Sequence, residues 1–83
     1  MKRLGAVLHV FENMAIVITR TRKINNKIIN RKVVDEQVKD IGTITDIFGP
    51  VENPYVVIKI NEYVKNRKKL LGKLLYIYTK KKR

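Results

Sequence analysis

The chain has 83 residues, with 19 Lys or Arg against seven Asp or Glu and a formal net charge of +12. A domain this short buries roughly 60–65% of the surface its unfolded chain exposes. With no cysteine and one histidine, neither disulfides nor a structural zinc site are expected to hold it together. The core is expected to come from aliphatic side chains, and the hydrophobic fraction of 45% supplies them. The opening residues contain no apolar leader and no run is long enough to span a bilayer, so a cytoplasmic chain without a membrane partner is expected.

In chain order, Leu4 to Val10 alternates as a strand, with Leu4, Ala6 and Leu8 on one side. Phe11-Glu12-Asn13 reads as a turn in which Asn13 takes the left-handed conformation, and Met14 to Arg20 returns as the second strand of a hairpin. Asn25-Asn26 marks a turn inside the basic run Arg20–Lys32, and Lys27-Ile28-Ile29-Asn30 is expected to cross one barrel end in extended form. Val33-Val34-Asp35 is a short strand. Gln37 to Phe48 is a longer one, with Gly42 inside it marking a bulge, a tight barrel bend or a close backbone contact. Gly49-Pro50 and Asn53-Pro54 bracket a corner, and Tyr55 to Ile60 is the next strand. Two prolines this close fix a shape, because each locks φ and removes a backbone donor. Asn61 to Lys69 reads as a loop. Leu70 to Lys73 leads into a last strand, Leu74 to Thr79, and Lys80–Arg83 is a basic tail. The pattern is all-β. Its short strands and regular turns, without substantial helix, predict one small closed β-barrel over 1–79, with corners at Gly5, Gly42 and Gly72. Closure removes the edges that so apolar a sheet would otherwise expose.

Catalytic chemistry is hard to assemble from these residues. The chain has no serine and no cysteine to act as nucleophile. His9 alternates with apolar neighbours and reads as a surface imidazole, and Asp35, Glu36 and Asp40 read as solvated carboxylates. No glycine loop cradles a phosphate, since the four glycines are dispersed. Neither enzyme activity nor any cofactor or metal is expected.

The charge is unevenly spread. Residues 33–62 hold six carboxylates against Lys39 and Lys59, a net of −4, which leaves +16 on the rest. Basic residues cluster in Arg20–Lys32 and Lys65–Lys73 and in the tail, so RNA is a natural neighbour. The residues expected near RNA are Arg20, Arg22, Lys23, Lys27, Arg31 and Lys32, with Lys65, Arg67, Lys68 and Lys69. Stacking on single-stranded bases would draw on Tyr55, Tyr63, Tyr76 and Tyr78. Tyr76 and Tyr78 share one face of the last strand, either as a small platform or, the preferred reading, as barrel packing. A lysine-rich surface also suits a protein from a hot habitat. By contrast, Asp46, Phe48, Pro50, Val51, Pro54 and Tyr55 make a rigid, apolar, weakly charged corner suited to a protein partner. The competing reading has Phe48 and Tyr55 closing the barrel end.

Ile41-Gly42-Thr43-Ile44-Thr45-Asp46-Ile47-Phe48-Gly49-Pro50-Val51, followed by Pro54-Tyr55-Val56-Val57-Ile58-Lys59, resembles the signature of the Gar protein family of box H/ACA ribonucleoproteins, in its short archaeal form. Arg3 to His9 is similar to the family's opening strand, Val33-Val34-Asp35 to the element before the signature, and Gly72 to Ile77 to the closing strand. Lys23–Asn30 departs from the pattern, which has a proline-containing loop there. The resemblance implies a six-stranded β-barrel of the translation-factor and reductase type. It also implies a non-catalytic subunit that binds the pseudouridine synthase subunit directly and aids substrate loading and product release. Guide and substrate RNA are then indirect or weak partners. The docking residues it implies are Asp46, Phe48, Gly49, Pro50, Val51, Pro54 and Tyr55, with Val33, Val34 and Ile44 beside them. The alternative is a small barrel that binds ribosomal or other RNA directly through its Lys/Arg loops.

Overall fold

A computed structural model describes residues 2–19, 26–50 and 52–78. Six strands form the molecule: β1 (Lys2–Phe11), β2 (Met14–Ile18), β3 (Lys32–Val34), β4 (Asp40–Phe48), β5 (Tyr55–Ile60) and β6 (Leu74–Ile77). They close into an antiparallel barrel in the order β1-β2-β5-β4-β3-β6. The first five expected strands are therefore present in order, with β5 at its expected limits, and the last runs to Ile77.

Alternation builds the core. Ala15 and Val17 of β2, Val56, Ile58 and Ile60 of β5, and Leu75 and Ile77 of β6 all turn inward and are buried. Register shifts interrupt β1 between Arg3 and Gly5 and again between Val7 and His9, and β4 between Ile44 and Asp46. These irregularities bend the strands enough for a six-stranded sheet to close. Gly42 lies where β4 crosses β5, and a methyl group there would overlap the Lys59 carbonyl oxygen. Close backbone approach is thus what requires glycine at this position.

Two short 3-10 turns cover the barrel ends. Asn26–Ile28 precedes β3, and Ile28 and Ile29 pack on the core from the end that holds the 49–54 corner. Arg67–Leu70 precedes β6, and Leu70 and Val64 pack on the core from the end that holds the β1–β2 hairpin.

Several boundaries differ from the sequence expectation. In the hairpin, Glu12 rather than Asn13 has positive φ, at 55°. Gln37–Lys39 is not strand, because the Asp35 carboxylate accepts hydrogen bonds from the amides of Gln37 and Lys39, both at 2.9 Å. Val38 completes that turn at φ 64°. Lys27–Asn30 is compact instead of extended: the Arg31 amide donates to the Ile28 carbonyl at 3.0 Å, and Asn30 turns the chain at φ 73°. The expected loop 61–69 holds the start of the second 3-10 turn, which Asn66 enters at φ 58°. Arg20, Thr79 and the tail Lys80–Arg83 lie outside the described residues.

Candidate interaction surfaces

The 49–54 corner is shaped by three local devices. After the register shift in β4, the Thr45 hydroxyl donates to the Val57 carbonyl at 3.3 Å, and the Asp46 carboxylate accepts from the Ile47 amide at 2.8 Å. Ile47 packs on the core while Asp46 and Phe48 face out. Gly49 then takes φ 97°, a conformation open to glycine at little cost, beneath the Tyr55 ring. Finally, Pro54 is buried, and its carbonyl accepts from both the Thr19 amide (3.1 Å) and the Thr19 hydroxyl (2.9 Å). Thr19 is fully buried, so this paired hydrogen bond ties the corner to the end of β2.

Phe48 stacks on Tyr55 with ring centroids 5.3 Å apart and an interplanar angle of 28°. The pair lies outside the core. Phe48 remains 46% exposed, and Tyr55 points away from the inward-facing Val56. Asp46 and Pro50 are exposed beside them, whereas Val51 lies outside the described residues.

Not every residue expected at this surface is there. Val33 and Ile44 are fully exposure-free core side chains, and Val34 is only 1% exposed. Val33 and Ile44 are corrected from docking contacts to barrel packing because they join the core cluster, whereas Val34 pairs with the outward-facing Tyr76 and is buried outside that cluster. Pro54 likewise contributes its carbonyl to the clamp and leaves its ring buried.

The surface also extends beyond the predicted corner. Register places Ile18 beside Tyr55 and Tyr55 beside Phe48, then Ile16 beside Val57 and Val57 beside Asp46. Because Ala15, Val17, Val56 and Ile58 point inward, Met14, Ile16, Ile18 and Val57 continue the apolar face on the barrel exterior. Residue-by-residue reading missed these four, yet a signal for them exists. Met14–Ile18 and Val56–Ile58 are apolar at every position, the pattern of strands covered on both faces.

The family described as the Gar1/Naf1 RNA binding region matches residues 1–83. This chain belongs to that family. An uncharacterized protein of Methanothermobacter thermautotrophicus is 34% identical over 79 residues, covering 93% of this chain and 83% of that protein. The solved structure of the Gar1 domain of Naf1 matches with a TM-score of 0.72 at 28% identity, covering 94% of this chain and 81% of its own.

This Gar1/Naf1 barrel separates the two basic groups. Arg31 is exposed near the corner end, with Lys27 in the turn before it, while Lys32 is exposed on β3 and faces Asp40. Lys65, Lys68 and Lys69 are exposed at the hairpin end, where the Arg67 Nε is buried without a hydrogen-bond partner. Arg20, Arg22 and Lys23 lie outside the described residues. Asp35 and Asp40 are drawn into local structure. Asp35 caps its turn. Asp40 accepts from the Tyr63 hydroxyl at 2.9 Å and faces Lys32 Nζ at 3.7 Å. The hydrogen bond to Asp40, aided by the carboxylate's charge, raises the Tyr63 pKa above its ordinary value of 10.0. His9 is exposed on β1. Among the described residues no three His, Cys, Asp or Glu side chains are grouped to hold a metal, and no helix is long and apolar enough to cross a membrane.

Tyr76 and Tyr78 turn outward, because Leu75 and Ile77 between and beside them fill the core. The preferred expectation of barrel packing is corrected by that alternation. Tyr76 is half-buried on the outer face, and Tyr78 is 36% exposed under the Lys32 ammonium, 5.6 Å from the ring centroid.

Proposed function

We propose that this barrel is a non-catalytic accessory subunit of a box H/ACA ribonucleoprotein that guides RNA pseudouridylation in rRNA processing. It docks on the pseudouridine synthase subunit through the Phe48–Tyr55 corner and the adjoining outer face of β2 and β5, and it aids substrate loading and product release. The observation that carries this reading is the stacked, solvent-facing Phe48–Tyr55 pair on a corner clamped by Thr19. Such a surface is already ordered, so a partner meets it with little further loss of side-chain entropy. The charged residues of β4 and β5 are Asp40, Asp46 and Lys59, with no excess of positive charge, which favours a protein over a polyanion. Catalysis is left to the partner subunit: His9 stands alone, and Asp35 and Asp40 are committed to a turn and to Tyr63.

The reading is tested by reconstituting the particle with and without this chain and comparing single with repeated turnover. An aid to loading and release predicts a several-fold loss of repeated turnover when the chain is omitted, with the single-turnover rate less affected. Equal rates in both regimes would rule the mechanism out. The alternative, direct RNA binding through the Arg20–Lys32 and Lys65–Lys69 groups together, is less favoured because Arg31 lies at the end opposite Lys65, Lys68 and Lys69, and Lys32 between them is paired with Asp40.

A further inference from the structure

The barrel order sets β6 diametrically opposite β5. The side facing away from the Phe48–Tyr55 corner therefore belongs to β6 and its neighbours β1 and β3. Two tyrosines lie on its exterior, about 6.6 Å apart along the strand. Arg3 of β1 stands across from Tyr76 in register, and Lys32 of β3 holds its ammonium over Tyr78. The nearby carboxylate is Asp40, already engaged by Lys32 and the Tyr63 hydroxyl.

We propose that this face binds single-stranded RNA, with one base on Tyr78, a second against the exposed part of Tyr76, and Arg3 and Lys32 on the intervening phosphates. Two kinds of group are needed for sequence-tolerant binding of a single strand: rings on which bases stack and cations that follow the backbone. Both are on this face, with Lys32 directly over one of the rings. When a base slides onto Tyr78 it takes the place of the Lys32 ammonium, which then shares itself between Asp40 and a phosphate oxygen. A duplex cannot use the rings, because its bases are stacked on one another. The choice of RNA rests on the family's described RNA-binding region, and it is independent of docking to the synthase. The two faces let one barrel hold a protein on one side and a strand on the other.

The test uses the full chain and fluorescence anisotropy with a labelled mixed-sequence single-stranded RNA of about ten nucleotides, against the same RNA annealed as a duplex. Tyr78→Ala is expected to weaken single-strand binding about 5- to 100-fold, the effect of one lost base stack, and to leave duplex binding unchanged. Tyr78→Phe retains the affinity. Arg3→Gln lowers the slope of log K against log salt by about 0.7, the effect of one phosphate contact to a single strand. Phe48→Ala, on the opposite face, leaves RNA binding unchanged, so this proposal and the docking proposal fail separately. Single-strand affinity within about two-fold of the parent for Tyr78→Ala overturns the assignment, as does equal loss of single-strand and duplex binding. Loss confined to a combined Lys65→Gln, Lys68→Gln and Lys69→Gln variant overturns it in favour of the hairpin-end loop.

Discussion

Gly49→Ala tests how the corner is built. The residue has φ 97°, where a side chain is strained by about 1–3 kcal/mol. The new methyl carbon would also lie 2.7 Å from Cδ2 and 3.3 Å from Cε2 of Tyr55. That ring cannot swing aside freely, because Phe48 stacks against it with the centroids 5.3 Å apart. Displacing it forfeits the stack, a further ~0.5–1.5 kcal/mol. The expected total is about 2 kcal/mol or more. In a domain of this size each kcal/mol moves Tm by roughly 4–8 °C, so the variant should melt at least about 8 °C below the parent. Far-UV circular dichroism gives the melting temperature, and the Tyr55 ring resonances report whether the stack has opened. A Tm within about 2 °C of the parent, with unshifted ring resonances, would refute the strained-corner account.

Two other expectations follow from the hydrogen bonds. Thr19→Val keeps the shape of a fully buried side chain and removes the hydroxyl donated to the Pro54 carbonyl, so a loss of about 0.5–1.5 kcal/mol is expected in urea unfolding. Amide exchange at Glu52, Asn53 and Tyr55 should rise with it, and unchanged exchange would mean that the clamp does not hold the corner. The Tyr63 phenol is held in its neutral form by Asp40, so its folded pKa lies above the unfolded value. That small contribution to stability is complete below pH about 10 and is lost as pH rises through the folded pKa. Asp40→Asn should bring the Tyr63 titration, followed by ring NMR shifts, back down toward 10.0; no movement would show that the contact is absent in solution.

The barrel is legible in the sequence because its strands are dense in β-branched residues and its breaks are marked by Gly, Pro and Asn. Tyr55–Ile60, bounded by Pro54 and Asn61, is the clearest case. Legibility fails where a side chain captures the backbone. The stretch Gln37-Val38-Lys39 alternates like a strand, yet two amides bonded to the Asp35 carboxylate fold it into a turn. It fails again at Ile28-Ile29, whose apolar pair is drawn onto the open barrel end, so that the chain curls instead of crossing it extended. The corner was visible through Pro50 and Pro54, but its wider apolar face was not, because it is assembled across strands β2, β5 and β4. Only register puts Ile18, Tyr55 and Phe48 side by side. The same limit explains Val33 and Ile44. Ile44 lies inside the signature and Val33 shortly before it, yet both turn into the barrel core while Phe48 faces out. For Tyr76 and Tyr78 the deciding fact is the burial of Leu75 and Ile77, since a period of two leaves the tyrosines outside.

The central claim is that the Phe48–Tyr55 face holds a protein. Its most direct measurement is the affinity of this chain for the isolated pseudouridine synthase subunit, by titration calorimetry, with the parent, Phe48→Ala and Lys65→Gln. Phe48 is 46% exposed, so its truncation should cost the free barrel mainly the ring stack, ~0.5–1.5 kcal/mol, whereas a buried aromatic anchor at an interface is worth about 2 kcal/mol or more. The account predicts at least about a 30-fold weaker Kd for Phe48→Ala and no change for Lys65→Gln, which lies at the far end. An unchanged Kd for Phe48→Ala would contradict it.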